Sequence, residues 1–109
     1  TNAGYPLVVA RVSASDATVI REVADAIRVK LGEGAVVLAA DAGGTALLLA
    51  AGSPSSVAAG FDAGAVIRAM APHVGGGGGG KPAMAQAGGK DPAGIDAALD
   101  AARGLLGAR

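Results

Sequence analysis

The sequence predicts a compact α/β domain in which a mixed β-sheet carries helices on its faces and includes a glycine-rich loop. Three observations carry that prediction. Apolar residues recur every three or four positions over 15–31 and again over 95–106, the period that gathers them on one face of a helix. The runs 35–40 and 45–51 are apolar at successive positions rather than alternating, as in strands covered on both faces, which calls for helices on each side of the sheet. The 109 residues suffice for one modest core and not for two, so residues 1–109 read as a single domain. The first residue is Thr, and the chain reads as a piece excised from a longer protein.

Taken in order, Pro6 marks the start of Leu7-Val8-Val9-Ala10-Arg11-Val12, a β-branched run with the composition of a strand. Ile20, Val23, Ala24, Ile27 and Leu31 share one helical face, with Ser15 or Asp16 as the cap and Gly32 where a left-handed terminal residue is wanted. The apolar runs 35–40 and 45–51 flank Asp41-Ala42-Gly43-Gly44, which reads as the tip of a hairpin. Residues 52–56 read as a loop. Val66, Ile67, Met70 and Val74 outline a short helix entered through Asp62 and ending near Pro72. Six glycines, Gly75 to Gly80, lead through Lys81-Pro82 into Ala83-Met84-Ala85-Gln86-Ala87, a small strand closed by Gly88-Gly89. Asp91 caps a last helix with Pro92 at its first position, and Ile95, Leu99, Ala102 and Leu106 form its apolar stripe. The predicted order is β-α-β-β-α-(glycine loop)-β-α.

Composition excludes several functions. Nine basic residues balance nine acidic ones, so the chain does not grip nucleic acid by bulk charge, and any RNA contact is local. With no Trp, one Tyr and one Phe, it offers no aromatic platform for stacking bases. The absence of Cys removes disulfides, thiolate catalysis and Cys-ligated zinc, and the single His73 is too little for a His-based metal site or triad. No catalytic and no metal-binding residue is therefore assigned. No apolar run approaches the roughly 18 residues of a membrane span, and the expected setting is cytoplasmic, without membrane contact.

The glycine run has two readings. As low-complexity sequence it is a flexible linker, but only 29 residues follow Gly80, too few for a second core. As part of the fold it is an ordered turn whose bare N–H groups approach a phosphate or ribose oxygen, with Lys81 supplying charge. On that reading Gly79→Val costs about 1–3 kcal/mol, through close backbone approach or a positive φ. A nucleotide-binding P-loop is disfavoured, because position 82 is Pro where the motif needs Ser or Thr to ligate magnesium.

The sixteen residues from Val74 to Gly89, a glycine-rich turn, Lys81-Pro82, Met84-Ala85-Gln86 and two further glycines, closely resemble the C-terminal end of alanyl-tRNA synthetases. The resemblance implies the globular C-terminal domain of that family, which is related to the domain associated with DHH-type phosphoesterases. It implies a non-catalytic module that touches the outer corner of alanine-specific tRNA and helps link aminoacylation to editing. Other domains of the parent synthetase are implied partners, and no cofactor is implied for this part, ATP and zinc belonging to other domains of the parent ligase. This chain departs from the family pattern in having Gly77 where a basic residue is common and Lys81 where Arg is common. A lysine is a point charge in place of a planar bidentate fork.

The nucleic-acid-binding residues singled out are Gly78, Gly79, Gly80, Lys81, Gln86, Gly88, Gly89 and Lys90. Lys81 is the foremost phosphate contact, and Lys90 is expected to face the same surface. Gln86 either hydrogen-bonds the glycine loop, the favoured role, or reaches a ribose or base edge. Met84 reads as core filler, His73 as a surface histidine, and Arg11, Arg21, Arg28, Lys30 and Arg68 as members of solvated faces. Two alternatives stand beside the synthetase reading: the substrate-binding domain of a DHH-type phosphoesterase, which would want His beside the glycines, and a dimerisation module that forms a homo-oligomer.

Overall fold

A computed structural model describes residues 6–106. Strand β1 (Leu7–Arg11) is followed by helix α1 (Ala17–Leu31), a hairpin of β2 (Ala35–Asp41) and β3 (Ala46–Gly52), and helices α2 (Pro54–Ala58) and α3 (Ala63–Met70). A 3-10 turn over Ala71–Val74 leads into β4 (Gly76–Lys81) and β5 (Met84–Gly89), and a second over Pro92–Gly94 leads into α4 (Ile95–Leu106). All five strands form one sheet in the order β1-β2-β3-β5-β4. Only β1 and β2 run parallel, joined through α1, and every other pair is antiparallel. The predicted α/β class with a mixed sheet is what the chain adopts.

Helix starts follow the expected cap chemistry. Asp16 Oδ1 accepts from the Val19 N–H at 2.9 Å and Asp62 Oδ1 from the Ala65 N–H at 3.3 Å, each satisfying a donor that the first turn leaves open. Gly32 ends α1 at φ 75.

Strands β2 and β3 are the centre of the molecule, and their side chains pack on two opposite faces. Val37, Leu48, Phe61, Val66, Ile67 and Met70 lie in the core between the sheet and helices α3 and α4. Ile20 and Ala24 of α1 cover Val36, Leu38, Leu49 and Ala51 on the other face. The unbroken apolar runs of β2 and β3 thus have the physical cause expected of them, a helix layer on each side. Helix α1 stops short of the β5–β4 half of its face, which carries Gln86 and Gly88.

Two expectations are corrected. Residues 52–56, read as a loop, instead hold the end of β3 at Gly52 and the start of α2, with Ser53 as its cap and Pro54 at its first position. The glycine-rich loop is a strand: Gly76–Gly80 lie extended in β4, paired with β5 from Gly76↔Gly89 to Lys81↔Met84, and only Gly75 has a positive φ, of 66. Pairing with β5 decides the conformation, because extended glycine has no side chain to announce it.

Helix α2 is held by a serine cluster. Ser53 Oγ accepts from the Gly34 N–H at 3.0 Å and lies 2.9 Å from Ser56 Oγ, while Ser55 Oγ donates to Glu33 Oε2 at 2.5 Å. Hydrogen bonds from Ser55 and then Ser53 hold the Glu33 carboxyl below its ordinary value of 4.5. A carboxyl depressed on folding stabilises the fold above its unfolded value and loses that contribution as pH falls. The thermal midpoint of the chain is therefore expected to fall between pH 6 and pH 3 by more than that of Ser55→Ala, and equal falls would show that the Ser55–Glu33 bond contributes nothing.

Candidate functional site

Strand β4 is the last strand of the sheet, so one of its edges has no strand beside it. Its glycines serve two spatial roles that alternate along the strand. A Cβ on Gly78 would lie 2.5 Å from the Ala87 Cβ, a Cβ on Gly80 would lie 2.6 Å from the Met84 carbonyl oxygen, and a Cβ on Gly76 would meet the Gly88 carbonyl oxygen. These three positions exclude any side chain because β4 and β5 approach so closely. A Cβ on Gly77 would meet nothing within 4 Å, and one on Gly79 only the Arg68 Nη1 at 3.8 Å. The expected strain of Gly79→Val therefore does not apply, since Gly79 has neither a positive φ nor a backbone obstacle. The strand presents bare backbone to its surroundings.

Lys81 ends this strand at the two-residue turn Pro82–Ala83. The turn is tied to the body of the domain: the Gly52 N–H donates to the Ala83 carbonyl at 3.0 Å and the Ala63 N–H to the Pro82 carbonyl at 2.9 Å. Lys81 is exposed on a fixed support. Lys90, also exposed, follows β5 at the other end of the hairpin, next to the Gly76↔Gly89 pair. Five residue steps separate the two ends, roughly 17 Å at about 3.4 Å per residue. The lysines thus bracket the hairpin and do not share one spot on it. Neither makes an ion pair among the described residues, whereas Arg11, Arg28 and Arg103 pair with Asp96, Asp25 and Asp100.

Gln86, in the middle of β5, is half-buried on the floor of a shallow groove of about 240 Å³ with Ile20, Leu47 and Gly88 around it. Its amide makes no hydrogen bond to a described residue, so the expected bond to the glycine segment is not formed. A half-buried amide facing an open groove is available to a ligand. Gly88 is exposed there. Gly89 is buried, and a Cβ on it would lie 2.6 Å from the Val74 Cγ2, which makes it a packing residue with no surface to offer. Gly78 and Gly80 are exposed through their backbones alone. Met84 packs at the edge of the core under α1, as expected of a filler, and His73 is exposed. Among the described residues no group of three or more His, Cys, Asp or Glu side chains is placed to hold a metal ion, and no helix is long and apolar enough to cross a membrane.

Sequence reasoning missed one residue at this edge. Arg68, taken for part of a solvated helix face, lies on α3 with its guanidinium beside Gly79. Only the pairing that brings β4 under α3 reveals the neighbour, eleven positions away.

Comparison with known proteins extends the picture. Residues 4–108 match the DHHA1 domain family. The chain is 52% identical over 104 residues to the alanine–tRNA ligase of Herpetosiphon aurantiacus, covering 95% of this chain and 12% of the relative. It is 45% identical over 96 residues to that of Geobacillus kaustophilus, covering 88% of this chain and 11% of the relative. The chain thus spans about an eighth of the length of these relatives. Its fold superposes on the crystal structure of the C-Ala domain from Aquifex aeolicus alanyl-tRNA synthetase with a TM-score of 0.80 and 25% identity, covering 94% of this chain and 92% of that one.

Proposed function

Because the chain belongs to the DHHA1 domain family and is homologous to the C-terminal region of alanyl-tRNA synthetases, we propose that it is a non-catalytic tRNA-binding module of such an enzyme. It contacts the outer corner of alanine-specific tRNA and helps link aminoacylation with editing in a cytoplasmic ligase, whose ATP and zinc sites lie in other domains. One structural observation supports this most directly: an edge strand of bare backbone, bracketed by two lysines and adjoined by an amide that have no ion-pair or hydrogen-bond partner among the described residues. Backbone N–H groups and lysines hold phosphates, and an amide reads a ribose or base edge. Glycine is the one residue that leaves such an edge unshielded.

The electrostatics set the expected strength. With zero net charge and few cations at the hairpin, roughly two to four phosphates are neutralised, so affinity falls only shallowly with salt. Lys81→Ala is expected to weaken tRNA binding by about 0.5–2 kcal/mol and to lower the log–log salt slope by about one. Arg103→Ala removes a cation already paired with Asp100 at 3.1 Å and is expected to change little. Gel shifts with a tRNA transcript at two salt concentrations separate the outcomes. Equal losses from the two variants would show diffuse electrostatics, and unaltered binding by Lys81→Ala would remove the hairpin from the interface. The chain supplied with ATP, alanine and tRNA is expected to form no charged tRNA, and turnover proportional to its concentration would overturn the non-catalytic assignment.

A further inference from the structure

The geometry points to Arg68 as a second phosphate-binding residue at this edge, its guanidinium and the Lys81 ammonium together holding the sugar-phosphate backbone of tRNA against the bare strand β4. The inference rests on the tRNA-binding reading and deepens it. Arg68 Nη1 lies 3.8 Å from where a Cβ on Gly79 would start and 3.2 Å from where one on Gly64 would start. The guanidinium therefore lies between two residues without side chains, one on α3 and one on β4, and the Gly80 carbonyl oxygen lies 2.8 Å from the same Gly64 position. Gly79 is two residues from Lys81 along an extended strand, roughly 7 Å. The two cations thus flank one short stretch of backbone, whereas Lys90 stands at the far end of the hairpin.

Arg68 is exposed and makes no ion pair among the described residues, unlike Arg11, Arg28 and Arg103. The nearby carboxylate is that of Asp62, whose Oδ1 lies 3.3 Å from the same Gly64 position and is engaged by the Ala65 N–H. It accompanies Arg68 without closing on it. An arginine offers five donors in a planar fork that matches two oxygens of one phosphate, which the point charge of Lys81 does not. Arg68 brings that geometry to the strand from a neighbouring helix, α3.

The test compares the unsubstituted 109-residue chain with Arg68→Gln, Arg68→Lys and Arg21→Gln, using an alanine-accepting tRNA transcript as the probe. Arg68→Gln is expected to weaken binding by about 5–30-fold and to lower the salt slope by about one, as for loss of one phosphate contact. Arg68→Lys is expected to restore the slope and only part of the affinity, because the charge returns without the fork. Arg21→Gln, on the exposed face of α1, is expected to change affinity less than twofold. Thermal midpoints are expected to agree, since Arg68 is exposed and makes no ion pair among the described residues. Binding by Arg68→Gln equal to that of the unsubstituted chain, or losses from Arg21→Gln as large, would overturn the role of Arg68 and leave the module a tRNA binder. Absence of binding by the unsubstituted chain at low salt would overturn the tRNA-binding reading itself.

Discussion

Gly89→Val is expected to destabilise the domain by about 3 kcal/mol, while Gly79→Val in the same hairpin changes its stability by less than about 0.5 kcal/mol. Gly89 is buried, and a Cβ there would lie 2.9 Å from the Val74 carbonyl carbon, main chain that cannot rotate aside. The 3-10 turn carrying Val74 is in turn fixed by the Asp91 N–H, which donates to the Val74 carbonyl at 2.9 Å. Making room at Gly89 therefore means moving both the turn and the entry to α4. Among the described residues, chain neighbours aside, a Cβ added at Gly79 would find only the end of the flexible Arg68 side chain within 4 Å. A β-branched residue there also suits an extended backbone better than glycine does. Urea unfolding of both variants measures the contrast. A large loss at Gly79 would mean that the segment is a constrained turn, and a small one at Gly89 would mean that β5 does not pack against Val74.

Phe61→Ala is expected to destabilise by about 3–5 kcal/mol, the range for truncating a fully buried phenylalanine. Phe61 is 1% exposed and belongs to the core under α3 and α4. Its ring covers Gly52, where an added Cβ would lie 2.5 Å from the ring carbon Cδ2. A core built largely from alanine has few bulky groups to move into the space, so the cavity persists. Gly52→Ala alone clashes with the ring. The double variant Gly52→Ala/Phe61→Ala is therefore expected to lose less than the sum of the two single losses, a coupling that a double-mutant cycle measures.

The elements that side-chain pattern controls were legible in the sequence, and those it does not control were not. Helix α1 was readable from Ile20 and Ala24 as buried members of a 3.6-residue stripe, from Asp16 as its cap and from Gly32 at its end. The β2–β3 hairpin was readable from two apolar runs around Asp41-Ala42-Gly43-Gly44, where the Gly44 N–H donates to Asp41 Oδ1 at 2.9 Å. Strand β4 was not, because five successive glycines carry no alternation and their conformation is imposed by β5. Helix α2 spans five residues, too few to show a period, although Ser53-Pro54 had the cap-and-proline form of a helix start. Within the candidate site, Lys81 and Gln86 were found through the motif around them. The burial of Gly89 against Val74 was not legible, because a motif does not distinguish a glycine that faces solvent from one on which another segment rests. Arg68 was overlooked because its place beside Gly79 is a tertiary fact.

A strand made of glycine also bears on how the molecule avoids its own kind. The free edge of any sheet is a template for other chains, and proteins blunt it with proline, charge or shortness. The opposite edge uses the first two devices: Pro6 stands immediately before β1, and Arg11 closes it. At β4 protection takes another form. Stacked strands gain their permanence from interdigitated side chains, and Gly76–Gly80 have none to interdigitate. An approaching strand finds hydrogen-bonding groups but no dry surface to lock onto. Replacing Gly77 and Gly79 by valine would stiffen the hairpin and at the same time supply the missing zipper, so a more stable variant would be the one more prone to self-association.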